Sequence, residues 1–335
     1  MKLFQSFFGG GESRGRYPES LIEEAIERAV AATDPRLRVL PGYRRTLRPS
    51  AIHAIDQVIG LVDDLPAYLT AGHREYSDDP RLAAVFAGAR DMLDIFSRSP
   101  ALTEFLAAPE GAGTERVTAL LVAERVEKRI LGVDLVGDRV QHDVSQVAVS
   151  FSGHRLLDPQ VDETQTRRQL ERRAFDHLLT LALGQIAELR EERADLARQR
   201  DLLRRKLEAL ERGSWTFNAS PGKPIAMGDL NLELAAVEQQ LGAVGPDTGA
   251  LAAHLDIVAG VLGEAERHLW ADETALYLDA MNLQRDPQDP SARRMTLHEL
   301  HNSRGVRVVM LPLSLAPADL PPREDLVTAA ERYLY

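Results

Sequence analysis

Apolar residues recur at helical spacing along the first part of the chain. The first such face follows Ser20, which is predicted to form a capping box with Glu23. It stops at Asp34-Pro35, because the residue before a proline is pushed out of the helical region. A second face follows Ser50, which we expect to cap the next helix. This pattern is typical of short helices that each bury one side.

Prolines mark the starts of later helices in the same region. Asp79-Pro80 and Ser99-Pro100 each place a capping side chain before a proline, a residue that is well tolerated at the first helical position. Helical spacing resumes after Thr114 and predicts one further helix. Residues 18–131 are therefore expected to form a helical domain, preceded by a flexible N-terminus at residues 1–17.

The apolar period changes after this domain. Val147, Val149 and Phe151 alternate with small residues, which is typical of a half-buried strand. Gly137-Asp138 is suited to a two-residue hairpin turn. Residues 132–158 are therefore predicted to form a small antiparallel β element.

The centre of the chain is a long charged helix. It begins near Asp162, which resembles an N-cap, and ends near Gly213, a residue typical of helix C-termini. The segment between them would span about 75 Å. Arg193 and Arg200 interrupt the second of its two apolar rows, so we expect a narrow contact within the chain rather than a zipper between chains. The first row keeps a seven-residue spacing: Phe175, Ala182, Leu189, Leu196, Leu203 and Leu210.

A return path for this helix follows in the sequence. Residues 229–268 show helical spacing, interrupted by glycines, over a length of about 60 Å. Since that length nearly matches the outgoing helix, we expect an antiparallel helical hairpin over residues 159–268, with its tip near residues 213–228.

The tip of the predicted hairpin carries Trp215, Phe217 and Met227. Exposed aromatic residues at the end of an arm are typical of contact sites, so we predict that these three side chains bind a partner. The alternative is that they fold back and close the hairpin as an apolar plug.

The last part of the chain, residues 269–335, is predicted to be rich in β-strands. Thr296–His301 and Val306–Leu313 flank a connection that ends in Gly305, a residue that tolerates the positive φ of a hairpin turn. The predicted fold is mainly α, of the α+β kind. It comprises an N-terminal helical domain, a long antiparallel helical hairpin, and small antiparallel β elements at the base of the hairpin and at the C-terminus.

Composition and charge narrow the functional classes. The chain has no cysteine, which excludes disulfides and thiolate metal sites. Its formal net charge of −11 disfavours bulk binding to nucleic acid. No apolar run approaches the length of a transmembrane span, so we expect a cytoplasmic protein. The apolar residues near the N-terminus form too short a run for stable peripheral membrane contact.

One segment is nevertheless rich in positive charge. Within 13 residues it contains Arg36, Arg38, Arg44, Arg45 and Arg48, and nearby prolines predict a loop. Such a segment could bind nucleic acid or another anion. The alternative is that these arginines form ion pairs with carboxylates of the helical domain.

No motif for a catalytic, cofactor or metal site is present in the sequence. His298 and His301 are closely spaced, but residues three apart on a strand point to opposite faces, and His254 is expected to pack beside an apolar helical stripe. Three functions stay open. The favoured one is a non-enzymatic adaptor whose projecting hairpin contacts another protein or a second copy of itself. The others are an anion-binding protein, and an enzyme whose site forms only in three dimensions.

Overall fold

A computed structural model of the chain describes residues 17–136, 139–214, 223–244 and 249–322. Over these residues the protein is a mixed α+β structure. Its described residues fall into two compact units. The first is drawn from Met1–Asp56 and Phe175–Ala265, and the second from Gln57–Ala174 and Glu266–Tyr335.

The helices described are α1 (Glu19–Ala32), α2 (Tyr43–Asp63), α3 (Pro80–Val85), α4 (Ala89–Ser97), α5 (Pro100–Ala107), α6 (Glu163–Ser214), α7 (Lys223–Val244), α8 (Ala250–Gly263) and α9 (Ala265–His268). Short 3-10 turns lie at Pro35–Val39, Glu75–Ser77 and Pro317–Asp319. Within the described ranges, no helix combines the length and apolarity needed to cross a bilayer.

The start of α1 differs from the sequence prediction. The helix begins at Glu19 after Pro18, and Pro18 makes no side-chain capping bond, so the expected capping box of Ser20 with Glu23 is not what starts it. Its predicted end is confirmed, because α1 stops at Ala32, two residues before Asp34-Pro35. The buried face of α1 is the predicted apolar one: Ile22, Ala25, Ile26, Ala29 and Val30.

The start predicted for α2 is wrong. The helix begins at Tyr43, directly after Gly42, whose φ of +81° ends the preceding turn. It therefore contains Pro49, although a proline inside a helix removes one backbone hydrogen bond. Leu47, in the added turns, is completely buried. Burial of that side chain offsets the lost bond, and Ser50 lies within the helix instead of capping it.

Helix α6 matches its prediction closely. The Oδ1 atom of Asp162 accepts a hydrogen bond of 2.8 Å from the backbone N–H of Gln165, which caps the helix. The 52 residues of α6 span about 78 Å. Helix α7 starts at Lys223 rather than near Asp229, because Pro224 in its first turn is compatible with helix geometry.

The described strands are β1 (Leu69–Thr70), β2 (Val117–Val136), β3 (Arg139–Gln160), β4 (Leu269–Leu278), β5 (Arg293–Asn302) and β6 (Arg307–Leu315). They form one sheet in the order β3-β2-β6-β5-β4, with β1 pairing in parallel to β6. All other pairs are antiparallel. The two separate β elements expected from the sequence are therefore parts of a single sheet, all in the second unit.

The helix predicted after Thr114 is wrong, since this segment is the start of β2. Residues 117–123 pair with β3 on one side and β6 on the other, and all seven are buried. Val117, Ala119 and Leu121 face a core formed with α3, α4 and α5, whereas Leu120 and Val122 face a second core. A strand buried on both faces is continuously apolar, so its periodicity cannot be told from that of a helix.

The β2–β3 ribbon is longer than the element predicted at residues 132–158. Beyond Ala123, β2 leaves β6 and stays paired with β3, with a register shift between Gly132 and Asp134, as far as the pair Val136 and Arg139. Along this part, Leu131 is 73% exposed. The predicted turn at Gly137-Asp138 lies outside the described residues. The C-terminal hairpin of β5 and β6 is confirmed, with Gly305 at a φ of +80° in its turn.

A buried carboxylate holds four strands together. Glu299 of β5 is completely buried. Its Oε1 accepts a 2.7 Å hydrogen bond from Nε of Arg125 on β2, and its Oε2 accepts 2.9 Å and 3.1 Å bonds from Thr274 on β4 and Arg307 on β6. A carboxylate shielded from solvent needs such donors. Because the donors lie on the other three strands, the cluster is satisfied only when these strands keep the observed register.

We predict that Glu299→Gln lowers the free energy of unfolding by about 3 kcal/mol, because it leaves two arginines without their buried partner. Urea unfolding measures this loss. Glu273→Gln is the matched control on the neighbouring strand, where the side chain is 68% exposed, and it should change stability by less than about 0.5 kcal/mol. Equal losses in the two variants would contradict the role given to Glu299.

Candidate functional site

A buried carboxylate also organises the first unit. Asp34 follows α1 and its side chain is 3% exposed. The Oδ1 atom accepts hydrogen bonds from the backbone N–H and the Nε–H of Arg36, at 3.1 Å and 2.9 Å, and Oδ2 accepts one from Nη2 of Arg36 at 2.8 Å. Asp34 thus caps the turn Pro35–Val39 and forms a two-pronged ion pair with an arginine of that turn.

Two further side chains converge on the same carboxylate. Nη2 of Arg190, on α6, donates to Oδ2 of Asp34 at 2.6 Å, and Nδ1 of His254, on α8, lies 2.8 Å from the same oxygen. Because a carboxylate only accepts, the proton of this bond belongs to Nδ1. One oxygen of Asp34 therefore ties α6 and α8 to the end of α1.

The hydrogen bonds shift the ionisation of this carboxyl group. Donation by Arg36 is the largest effect and holds the pKa of Asp34 well below its usual range, with His254 adding to it, while burial acts in the opposite direction. The same bond raises the pKa of Arg36. Asp34 is therefore a permanent negative charge inside the unit at neutral pH.

An open cleft of about 320 Å³ lies beside this cluster. Its polar lining consists of Arg36, Arg190, Arg193 and His254, and no carboxylate is among the described residues that line it. The apolar part of the lining comes from α6 and the first residue of α8: Leu189, Ala194, Ala197 and Ala250. The cleft thus combines positive charge with a small apolar wall.

The predicted basic segment does not form a loop. Its arginines lie on the turn Pro35–Val39 and on the first turns of α2. Ion pairs occupy four of them: Arg36 with Asp34, Arg38 and Arg44 with Glu27, and Arg48 with Glu19.

These ion pairs favour the structural explanation for most of the segment, and Arg36 is its only member among the described residues that line the cleft. Arg45 is exposed and forms no ion pair with another described residue. Anion binding by all five arginines stays a prediction.

The predicted tip is only partly described. Trp215 and Phe217 lie outside the described residues, and Met227 is half-buried on α7. Partner binding by these three side chains stays a prediction.

Helices α6 and α7 contact each other through a narrow seam. Leu196 and Leu203 of α6 form a buried cluster with Val237 of α7, and Nη2 of Arg204 lies 2.6 Å from Oε1 of Glu238 beside it. Partly buried leucines of α7 complete the cluster: Leu230, Leu234 and Leu241. The seam uses one edge of each helix.

Other leucines of this helix pair face solvent. Leu202 on α6 is 53% exposed and Leu232 on α7 is 73% exposed. Both lie within the stretch of helix that carries the seam.

The other two candidate histidines lie near carboxylates of the neighbouring strand. His298 and His301 lie on β5, each 3.6 Å from a carboxylate of β4, and the described residues contain no group of three or more His, Asp and Glu that could hold a metal ion.

Comparisons of the chain with protein-family models, curated proteins and solved structures found no match.

Sequence reasoning missed the pairing of Asp34 with His254. The local sequence predicts only a helix stop at Asp34 and a packed side chain at His254, and 220 positions separate the two residues. The one available signal was a histidine on an apolar helical stripe, since a buried imidazole needs a hydrogen-bond partner from another element.

We predict that Asp34→Asn lowers the free energy of unfolding by about 2 kcal/mol at pH 7, because it removes the charged acceptor that Arg36 and Arg190 share, while both arginines keep contact with solvent. The folded pKa of Asp34 lies below the unfolded value of about 3.9, so its contribution is complete above about pH 5 and shrinks as the pH falls below about 4. The gap between the variant and the unmodified protein should therefore narrow in acid.

Urea unfolding at pH 7, 5 and 3.5 checks this pattern. Asp195→Asn is the control, since Asp195 is an exposed member of an ion pair within α6. A gap that is as large at pH 3.5 as at pH 7 would contradict the assignment of the charge to Asp34.

Proposed function

We propose that the protein is a non-enzymatic adaptor whose helices α6 and α7 form an antiparallel helical arm that contacts another protein or a second copy of the chain. The observation that carries this proposal is the outer part of α6. Among the described residues, its buried side chains from Leu196 onwards are Leu196, Leu203 and Leu207, and the first two form the seam with α7. The outer part of a helix of about 78 Å therefore buries few side chains, as in an arm that extends beyond a core.

The composition of the seam supports pairing within one chain. Its buried residues are few, and the ion pair of Arg204 with Glu238 flanks them on the solvent side. Zippers between chains need two continuous apolar rows, and Arg193 and Arg200 interrupt the second row here. The hairpin is therefore proposed as an intramolecular arm.

The solvent-facing leucines supply the proposed contact surface. An arm paired along one edge leaves its other faces available, and Leu202 and Leu232 place large apolar side chains there. A partner helix could bury them in the manner of helix-on-helix recognition. Trp215, Phe217 and Met227 are proposed to extend this surface.

We predict that Leu202→Asp with Leu232→Asp lowers partner binding at least about fivefold, because an apolar contact surface cannot bury carboxylates. Stability should change by less than about 0.5 kcal/mol, since both side chains face solvent. Cross-linking with quantitative mass spectrometry measures partners in cells, and sedimentation velocity measures self-association.

The matched control is Leu131→Asp, which changes a leucine of similar exposure on the β2–β3 ribbon. Trp215→Ala with Phe217→Ala tests the tip separately. If the double aspartate variant and the control keep the same partners and the same sedimentation coefficient, the adaptor proposal fails.

A further inference from the structure

We propose that the cleft lined by Arg36, Arg190, Arg193 and His254 binds a small organic anion through its carboxylate or phosphate group. All of its lining residues belong to the first unit. The proposal is independent of the adaptor function and concerns residues 189–197 of α6, a range that meets the seam with α7 at Leu196.

The first argument is charge. Arg36 and Arg190 share the single carboxylate of Asp34, so one positive charge beside the cleft has no counterpart in this cluster. No acidic residue is among the described residues that line the cleft. An anion in the cleft would neutralise that excess at short range, in a partly enclosed site where screening is weaker than at an open surface.

The second argument is the supply of donors. A guanidinium group has five N–H donors in a rigid fork. Arg190 directs only Nη2 towards Asp34, and its side chain is 47% exposed, so its other donors can reach a ligand. The hydrogen bond to Asp34 fixes the position of this arginine. Arginines fixed in this way bind carboxylate and phosphate with paired hydrogen bonds.

The third argument is the histidine ring. His254 is 2% exposed and its Nδ1–H is committed to Asp34, which fixes the orientation of the ring. Within the described residues, Nε2 has no hydrogen-bond partner. With the proton of the Asp34 bond on Nδ1, Nε2 can accept a hydrogen bond from a hydroxyl group next to the anionic group. The chemistry therefore favours a hydroxylated anion, such as a hydroxy acid or a phosphorylated polyol.

The fourth argument is size. A volume of about 320 Å³ is at the lower end for small-molecule sites and excludes a folded partner. The space exists because three of the four apolar lining residues are alanines: Ala194, Ala197 and Ala250. A larger side chain at Ala197 would occupy part of this space without removing any of the polar side chains that line it.

Isothermal titration calorimetry with malate, glycerol 3-phosphate and inorganic phosphate tests the proposal on the full chain, with uncharged glycerol as the blank. We expect at least one of the anions to bind at a single site and glycerol not to bind. Arg190→Gln should weaken that binding at least about tenfold by removing the fork. Ala197→Leu should weaken it to a similar extent by occupying part of the cleft.

The matched control is Arg205→Gln, which removes an exposed arginine of α6 about 22 Å further along the helix and should change binding less than about twofold. Binding of malate alone would assign a carboxylate ligand, and binding of either phosphate compound alone a phosphate ligand.

Because Arg190 also forms an ion pair with Asp34, Arg190→Gln could fail to fold, and Ala197→Leu then tests alone whether the anion binds in the cleft. Absence of binding by all three anions, or equal binding by Ala197→Leu and the unmodified protein, would overturn the proposal.

Discussion

The apolar row along α6 is the constraint on which the first unit depends. In its inner part the row is wide, with Phe175, Leu178, Leu179 and Ile186 all buried. Further along, the row thins to the seam at Leu196 and Leu203. The row becomes narrower because arginines replace apolar residues in its second row. A helix with so many charged side chains gains little stability from burying more than one edge. The same helix therefore serves as core in one part and as surface in another.

Buried carboxylates provide the specificity that apolar packing lacks. Asp34 ties α6 and α8 to the end of α1, and Glu299 ties four strands of the sheet in register. In both clusters arginines surround one acid, so removal of the acid would take the same ionic partner from two arginines at once. The two clusters differ in what lies beside them. Glu299 is enclosed by the sheet. Asp34 lies beside a cleft, and Arg190 in that cleft has N–H donors that Asp34 does not use. We therefore infer a ligand only at Asp34.

Helix starts and tight turns could be predicted from the sequence, because they depend on interactions between residues close together in the chain. Asp162 as the start of α6, the prolines after Asp79 and Ser99, and the turn at Gly305 all appear as expected, because capping and backbone preference act over a few residues. The prediction of a helix in place of β2 is wrong because the strand is buried on both faces, and β6, which pairs with it, lies almost 200 residues away in the sequence. The cleft could not be predicted for the same reason. Arg36, Arg190 and His254 are far apart in the sequence, and no local pattern indicates that the fold brings them together.

The most direct test of the arm asks whether α6 and α7 pair within one chain. The protein has no cysteine, so Arg204→Cys with Glu238→Cys introduces one unambiguous pair at the observed ion pair. A short bis-maleimide reagent, applied at micromolar protein concentration, should link the two positions within a monomer, as judged by peptide mass spectrometry and denaturing gels. A mixture of the two single variants should give no covalent dimer. Links that form only between chains would contradict the intramolecular arm and replace it with an assembly in which α7 pairs with α6 of another copy.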